Sequence, residues 1–395
     1  MTPVEFLKAD IAARFGMDKV SWADRLTWFE NNKDNLHSLV HKAKEPALYY
    51  AAICAWEDHL NGMPSGYGIQ FDCTASGIQL LSIMTHDLSA ANACNVVGDE
   101  IEDAYLVVYN KMQEILGESN PIDRDDVKTA VMTGFYGSEA EPRKLFGEDT
   151  AEIAAFYEAM EFVAPRCWAL NNMLLEYQKT NTDEYSYDWV MPDNFHVHCK
   201  VMEVVAENVE CLGSVREVKY RINRPHERNR SLGANLTHSV EAYVVRECIR
   251  RTTMTTEMRI RISMILAGHH IDTVKGNAYM VGLLWLRYQQ SGMLSARIFD
   301  YLDSETITLV DRSTIIRLYR SIQRSYAIRP VHDCFALLPN YASEFLQLFR
   351  TVYAELAESD MLKYILEQVT GDTVQAFPKE ADFANMIMQS KYVLA

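Results

Sequence analysis

Apolar residues recur every three or four positions in "WADRLTWFENNKDNLHSLVHKA" (22–43), "DTAEIAAFYEAMEFVAPRCWALNNMLLEYQ" (149–178) and "YASEFLQLFRTVYAELA" (341–357). That spacing lines one face of a helix and predicts helices there. Shorter runs rich in β-branched and aromatic residues, "YGIQFDC" (67–73), "NVECLGSVREVKYRI" (208–222) and "YAIRPVHDCFALL" (326–338), predict strands, the second of them a hairpin. Turn-forming clusters at "NGMPSGYG", "GESNPIDRDD" and "KTNTDEYSYDWVMPDN" predict breaks. The expected fold is α+β, mainly helical, with a small antiparallel sheet. Two polar interruptions stand out on the strands. His332-Asp333 separates Ile328 and Val331 from Phe335, Leu337 and Leu338, and Asp72 ends the first run just before the small residues Thr74, Ala75, Ser76 and Gly77. A carboxylate buried without a partner is costly, so these positions call for a chemical reason.

Composition narrows the setting. A chain of 395 residues exceeds one compact core, which predicts two or three lobes. No apolar run reaches membrane-spanning length, candidates such as "MVGLLWL" being about a third of a span, and "MTPVEFLKADIAARFGMDK" lacks a signal-peptide core, so a cytosolic protein without membrane association is expected. The 8 cysteines form no Cys-x-x-Cys pair and read as free thiols. A net charge of −16 argues against nucleic acid until its distribution is considered. Residues 1–200 carry 15 Lys and Arg against 32 Asp and Glu, whereas 201–395 carry 23 against 22. Within 216–261, 11 basic residues face 5 acidic ones, a density that suits a phosphate backbone or, equally, a solvated helical face.

The candidate chemistry starts from the carboxylates. Asp72 at a strand-to-helix turn is either a helix cap or a metal ligand facing a cleft. Paired with Asp333, it would form a two-carboxylate site for a hard cation such as Mg²⁺. In "IDRDDVKTAVMTGFYGS", Arg124, Lys128, Met132 and Tyr136 recur every four residues. On a helix they drift by about 40° per step, a stripe roughly 120° wide that would grip a polyphosphate and stack on a base or sugar. The alternative is a surface helix whose cations pair with Asp123, Asp125 and Asp126. "FHVHCK" (His196, His198, Cys199) and "GHHID" (His269, His270, Asp272) are weaker zinc candidates. Phosphate-loop and dinucleotide fingerprints are absent.

Asp72 on a strand, Arg124-x3-Lys128-x7-Tyr136-Gly137 on a helix and His332-Asp333 in a hairpin, in this order, resemble the three polymerase motifs of the single-subunit RNA polymerases of bacteriophages and mitochondria. "DKVSWADRLTWFENNKDNL", "FDCTASGIQLLSIMTHD", "NLTHS" and the final "QSKYVLA" are similar to further segments of that family. The resemblance implies a right-hand fold. Residues 1–104 would form the first part of the palm, 105–238 the fingers with a hairpin, 239–325 a palm helix plus an Arg-rich insertion, and 326–395 the palm hairpin and a carboxyl-terminal foot. It implies two-metal nucleotidyl transfer with two Mg²⁺ ions held by Asp72, Asp333 and the Cys73 carbonyl. Arg124 and Lys128 would bind the ribonucleoside triphosphate, and His332 would sit beside the RNA 3′ end. Tyr136 and His238 would sense the 2′-hydroxyl, and Tyr105 would lie near template and nucleotide.

RNA rather than DNA synthesis is the implied activity, because the related DNA polymerases carry a Glu where this chain has Gly77 and an aromatic where it has Met132. The alternatives are a DNA polymerase or primase of the related family, or a non-catalytic nucleic-acid-binding subunit. Departures from the pattern are Cys73 in place of Gly, Val240-Glu241 in place of a polar residue and Asp, and about seventy extra residues at 250–320. No Gly-Arg dipeptide occurs, so the family's Asp-x-x-Gly-Arg motif is missing. The chain therefore looks like either a fragment of such a polymerase or, as the start "MTPVEFLKAD" favours, the large subunit of the heterodimeric middle-gene RNA polymerases of some podoviruses, working in the cytoplasm of an infected bacterial host. A second subunit, a DNA template, an RNA product and a recruiting factor such as a single-stranded DNA-binding protein would be its partners.

Overall fold

The computed structural model describes residues 1–117, 121–226, 229–270 and 275–395. Its organising element is a three-stranded antiparallel sheet built from β1 (Ile69–Asp72), β6 (Arg329–Val331) and β7 (Cys334–Leu337), with β7 in the middle. The register pairs Ile69 with Leu337, Phe71 with Phe335 and Asp72 with Cys334, while Val331 pairs with Cys334 across the hairpin. Side chains alternate faces along a strand. Ile69, Phe71, Phe335 and Leu337 are therefore buried together, with the ring of Phe335 5.1 Å from Phe345 and that of Phe71 5.7 Å from Phe6. The same alternation turns Gln70, Asp72 and Cys334 toward an open cleft.

His332 and Asp333 form the two-residue turn between β6 and β7, with His332 at φ 56°, a left-handed conformation unusual outside glycine. Of the apolar residues around this turn, only Phe335 and Leu337 are fully buried; Val331 is 68% and Leu338 37% exposed. β6 is a short edge strand, so its alternate side chains meet solvent.

Helices surround the sheet. The stretch 149–178 is two helices, Ala151–Val163 and Pro165–Thr180, because Pro165 lacks the N–H a continuous helix needs and instead begins the second. Likewise 22–43 divides into the helix Trp22–Asn32 and a 3₁₀ segment, Leu36–Lys42. The expected break at 179–194 contains β2 (Ser186–Val190), which pairs with β3 (His196–Lys200). Its alternating buried residues, Tyr187 and Trp189, outweigh the flanking turn formers. β4 (Met202–Cys211) and β5 (Ser214–Asn223) form the expected hairpin, closed by Leu212 and Gly213, both with positive φ.

Residues 254–322 hold a separate hydrophobic core, centred on Ile262, Val281, Ile298, Phe299, Leu302 and Ile315. It is clamped to the helix Ser231–Thr252 by buried ionic groups. Glu247 accepts from the Ala296 N–H at 2.9 Å, and Arg250 and Arg251 donate to the Ser295 and Ser321 hydroxyls at 3.4 and 3.5 Å. The same arginines tie the helix to other parts of the fold, Arg250 reaching Asp193 at 2.8 Å and Arg251 donating two bonds to Glu355 at 2.6 and 3.0 Å. Arg246 also grips Asp193, at 2.6 Å. The basic density at 216–261 is therefore not one surface: Arg246, Arg250 and Arg251 are committed to internal carboxylates.

Candidate nucleotidyl-transfer site

Asp72 closes β1 on the open face of the sheet, and the Cys73 N–H donates to the Asp333 carbonyl at 3.3 Å, holding the two aspartates side by side across β1 and β7. Burial and the neighbouring Asp333 carboxylate push Asp72 up to about 6. Although solvent reaches the Asp72 side chain from the cleft, the protein around it still penalises its charge. Glu241, on the helix Ser231–Thr252, shares a small crevice with Asp333 and Cys73, and it too is raised, by burial and then by Asp333. Asp72 does not cap the helix Ser76–Thr85, whose first turn has no side-chain cap.

The cleft in front of Asp72, about 680 Å³, is lined by Cys73, Thr74, Tyr105, Arg124 and Lys128. Asp103 organises this wall. It caps the helix Ala104–Leu116 through the Tyr105 and Leu106 N–H groups and holds Arg124 at 2.5 Å. The alternative of a self-neutralised surface helix forms only in part: Arg124 keeps a long ion pair with Asp125 at 3.9 Å beside its shorter one with Asp103, whereas Asp123 caps its own helix. Lys128 makes no ion pair among the described residues, and its ammonium stands 5.6 Å from the Tyr105 ring centroid. Arg14, Lys19 and Lys44 line the facing wall, Lys19 sharing Asp103 at 2.8 Å. These three cations were not singled out from sequence; Lys19 lies in the "DKVSW" segment, and only the fold shows that it faces Arg124.

The helix carrying Arg124 and Lys128 ends at Gly134, so Tyr136 is not on the helical stripe but in the turn beyond it, where Gly137 adopts φ 82°. There its ring centroid lies 5.4 Å from that of His238. A Cβ built on Gly77 would lie 2.0 Å from the Tyr136 hydroxyl oxygen, so the missing side chain is what makes room for this hydroxyl. Burial pushes Tyr136 up to about 12, which keeps the hydroxyl protonated and able to donate. His332 is exposed at the tip of its turn. The segment "QSKYVLA" reaches the same place: Ala395 and Asp72 exchange backbone hydrogen bonds at 3.1 and 3.3 Å, and Gln79 donates to the Val393 carbonyl at 3.1 Å.

The zinc candidates do not converge. His196 and His198 lie on the exposed face of β3, His198 bonded to Asp188 at 2.6 Å, while Cys199 points to the buried face and bonds Ser231. His269 and His270 follow the helix Thr256–Ala267, and Asp272 lies outside the described residues. Among the described residues no three His, Cys, Asp or Glu side chains form a metal cluster, and none of the helices is long and apolar enough to cross a membrane.

Comparison with known proteins finds a likeness over part of the chain. Residues 2–144 match the model of the DNA-dependent RNA polymerase family. A probable DNA-directed RNA polymerase of Neurospora crassa is 33% identical over 159 residues, covering 33% of this chain and 17% of that protein. One of Podospora anserina is 27% identical over 106 residues, covering 24% and 11%. The chain thus matches under a fifth of the length of these curated relatives. Asp72, Gly77, Tyr105, Arg124, Lys128 and Tyr136 all fall inside the stretch that matches the DNA-dependent RNA polymerase family, and the fold brings His238, His332 and Asp333 to it.

Proposed function

We propose that this chain carries the catalytic centre of a DNA-directed RNA polymerase, adding ribonucleotides to an RNA 3′ end on a DNA template. The observation that carries the reading is the cleft itself, with Asp72 on one side, Asp333 beside it in the adjoining crevice, and Arg124, Lys128 and Tyr105 on the other side. The donors fit Mg²⁺. Asp72, Asp333 and the Cys73 carbonyl offer only oxygen, and the charge of Asp72, disfavoured by burial first and by Asp333 next, is stabilised by divalent cations. Bound there, two Mg²⁺ ions supply charge stabilisation to the attacking and leaving oxygens. Arg124 and Lys128 hold the triphosphate and neutralise the charge that passes to pyrophosphate. His332 flanks the 3′ end.

In this reading the Tyr136 hydroxyl and His238, whose rings lie 5.4 Å apart, hydrogen-bond the ribose 2′-hydroxyl, a contact that discriminates against the analogue lacking it. Gly77→Ala forces the Tyr136 hydroxyl away. It is expected to lower the preference for ribonucleotides over deoxyribonucleotides by roughly 10- to 100-fold while sparing hybrid binding, a ratio read from paired kcat/KM measurements. An unchanged ratio removes Tyr136 from the sugar contact.

In this reading residues 1–104 and 326–395 build the palm, 105–238 the fingers, and 239–325 a palm helix with its insertion. Extension of a labelled RNA primer on a DNA template with Mg²⁺ tests the whole. Preference for deoxyribonucleotides makes the chain a DNA polymerase, and hybrid binding without extension, alone or with a co-expressed second polypeptide, makes it a non-catalytic subunit. The proposal includes a second polypeptide supplying the Asp-x-x-Gly-Arg element, as in the heterodimeric phage enzymes. Full activity of the chain alone discards that part, and activity only on co-expression supports it.

A further inference from the structure

Away from the cleft, an unassigned concentration of positive charge runs along residues 312–333. Arg312, Arg317, Arg320, Arg324 and Arg329 are all exposed, and no carboxylate occurs between Arg312 and Asp333, in a chain whose net charge is −16. On the helix Arg312–Arg320 the first three guanidiniums fall within a sector of about 140°. The chain then runs without regular structure to β6 and the His332-Asp333 turn.

Two features make this more than a solvated helical face. Arg320, Gln323 and Arg324 rim a cavity of about 130 Å³, with Ser321, Thr351 and the buried Arg251 also in its wall. Arg324 is oriented by Glu344 at 2.6 Å and by the Tyr341 ring, 4.6 Å away, which itself stacks on Tyr326 at 4.7 Å. Arg320 and Arg329, by contrast, have no ion-pair partner among the described residues, so their charge is available to a ligand.

We propose that this arginine track binds the sugar-phosphate backbone of a nucleic-acid strand where it approaches or leaves the His332-Asp333 turn. The position next to that turn rests on the polymerase reading; the binding chemistry does not. Between Arg324 and Arg329 an extended chain covers up to about 17 Å, so the track follows several consecutive phosphates. RNA and DNA share this chemistry.

The test uses the full chain and three fluorescent probes: an RNA primer annealed to a DNA template, single-stranded RNA and single-stranded DNA. Each is titrated between 50 and 200 mM salt, roughly the range over which phosphate contacts are read. The Arg320→Gln/Arg324→Gln/Arg329→Gln variant is expected to bind on the order of 10-fold more weakly, with a salt slope shallower by about 2. The single-stranded probe that weakens identifies the strand. Arg320→Gln/Arg329→Gln, which spares the Glu344 pair, is read in its place if the triple variant melts lower than wild type. Unchanged slopes for all three probes overturn the proposal. Shallower slopes in a chain that extends no primer either alone or with a co-expressed second polypeptide leave the track standing and reject the polymerase reading, whereas normal extension with unchanged slopes rejects the track alone.

Discussion

Asp333→Asn is expected to slow primer extension by roughly 10³-fold or more, about 4 kcal/mol of barrier, while the protein melts no lower than wild type. The substitution keeps the size of the side chain and leaves the main-chain carbonyl that accepts from the Cys73 N–H. What it removes is charge. Asp72 is pushed up to about 6, with burial the larger cause and Asp333 the next, so the pair is held together at a cost to the fold. The sign follows from linkage. A carboxyl raised above its ordinary value of 3.8 contributes stability that is complete below that value and lost as pH rises through about 6. Removing one charge of the pair therefore lessens a destabilisation at neutral pH, and Asp72→Asn should act in the same direction. A residue needed only for structure would lower activity and melting temperature together; a ligand-binding carboxylate separates them. Primer extension within tenfold of wild type, or a melting temperature several degrees lower, would sink the assignment.

Much of this site is legible in the sequence because its parts are local. The period-2 pattern of "YGIQFDC" and "CFAL" places Asp72 on the open face of a strand, and the Arg124–Lys128 spacing places two cations on one side of a helix. What is not legible depends on long-range placement. Tyr136 continues the four-residue spacing on paper, yet the helix stops two residues earlier, and its partner Gly77 lies 59 residues away in sequence. Lys19, Arg14 and Lys44 become cleft residues only when the first 45 residues fold over the sheet. The basic run at 216–261 misleads for the same reason, since composition does not distinguish a cation facing solvent from one, like Arg246, already held by Asp193. β2 is missed because turn formers surround a strand held by two buried aromatics.

The other large effect concerns the frame behind the site. Arg251 is 1% exposed, donates two hydrogen bonds to Glu355 and faces Glu247, itself fully buried, at 3.4 Å. Arg251→Ala strands this arrangement, because breaking one side of a buried ion pair leaves an uncompensated charge as well as a cavity. The expected loss is about 3–5 kcal/mol, a fall in Tm of roughly 5 °C for a chain of this size. Arg250 and the Ala296 N–H still reach Glu247, which limits the damage to one partner of the cluster. The cluster joins the helix bearing His238 and Glu241 to the helix Ala342–Glu358, the one that packs under β7. Arg251→Ala should therefore act on stability first and on extension only near its lowered melting temperature, the reverse of Asp333→Asn. Arg251→Met, which fills the space without the charge, should destabilise less than Arg251→Ala if cavity formation contributes, and equally if the stranded carboxylates dominate. Thermal melting of both variants decides between the two, and a drop of under 1 kcal/mol in each would mean that solvent reaches this network and carries its charges.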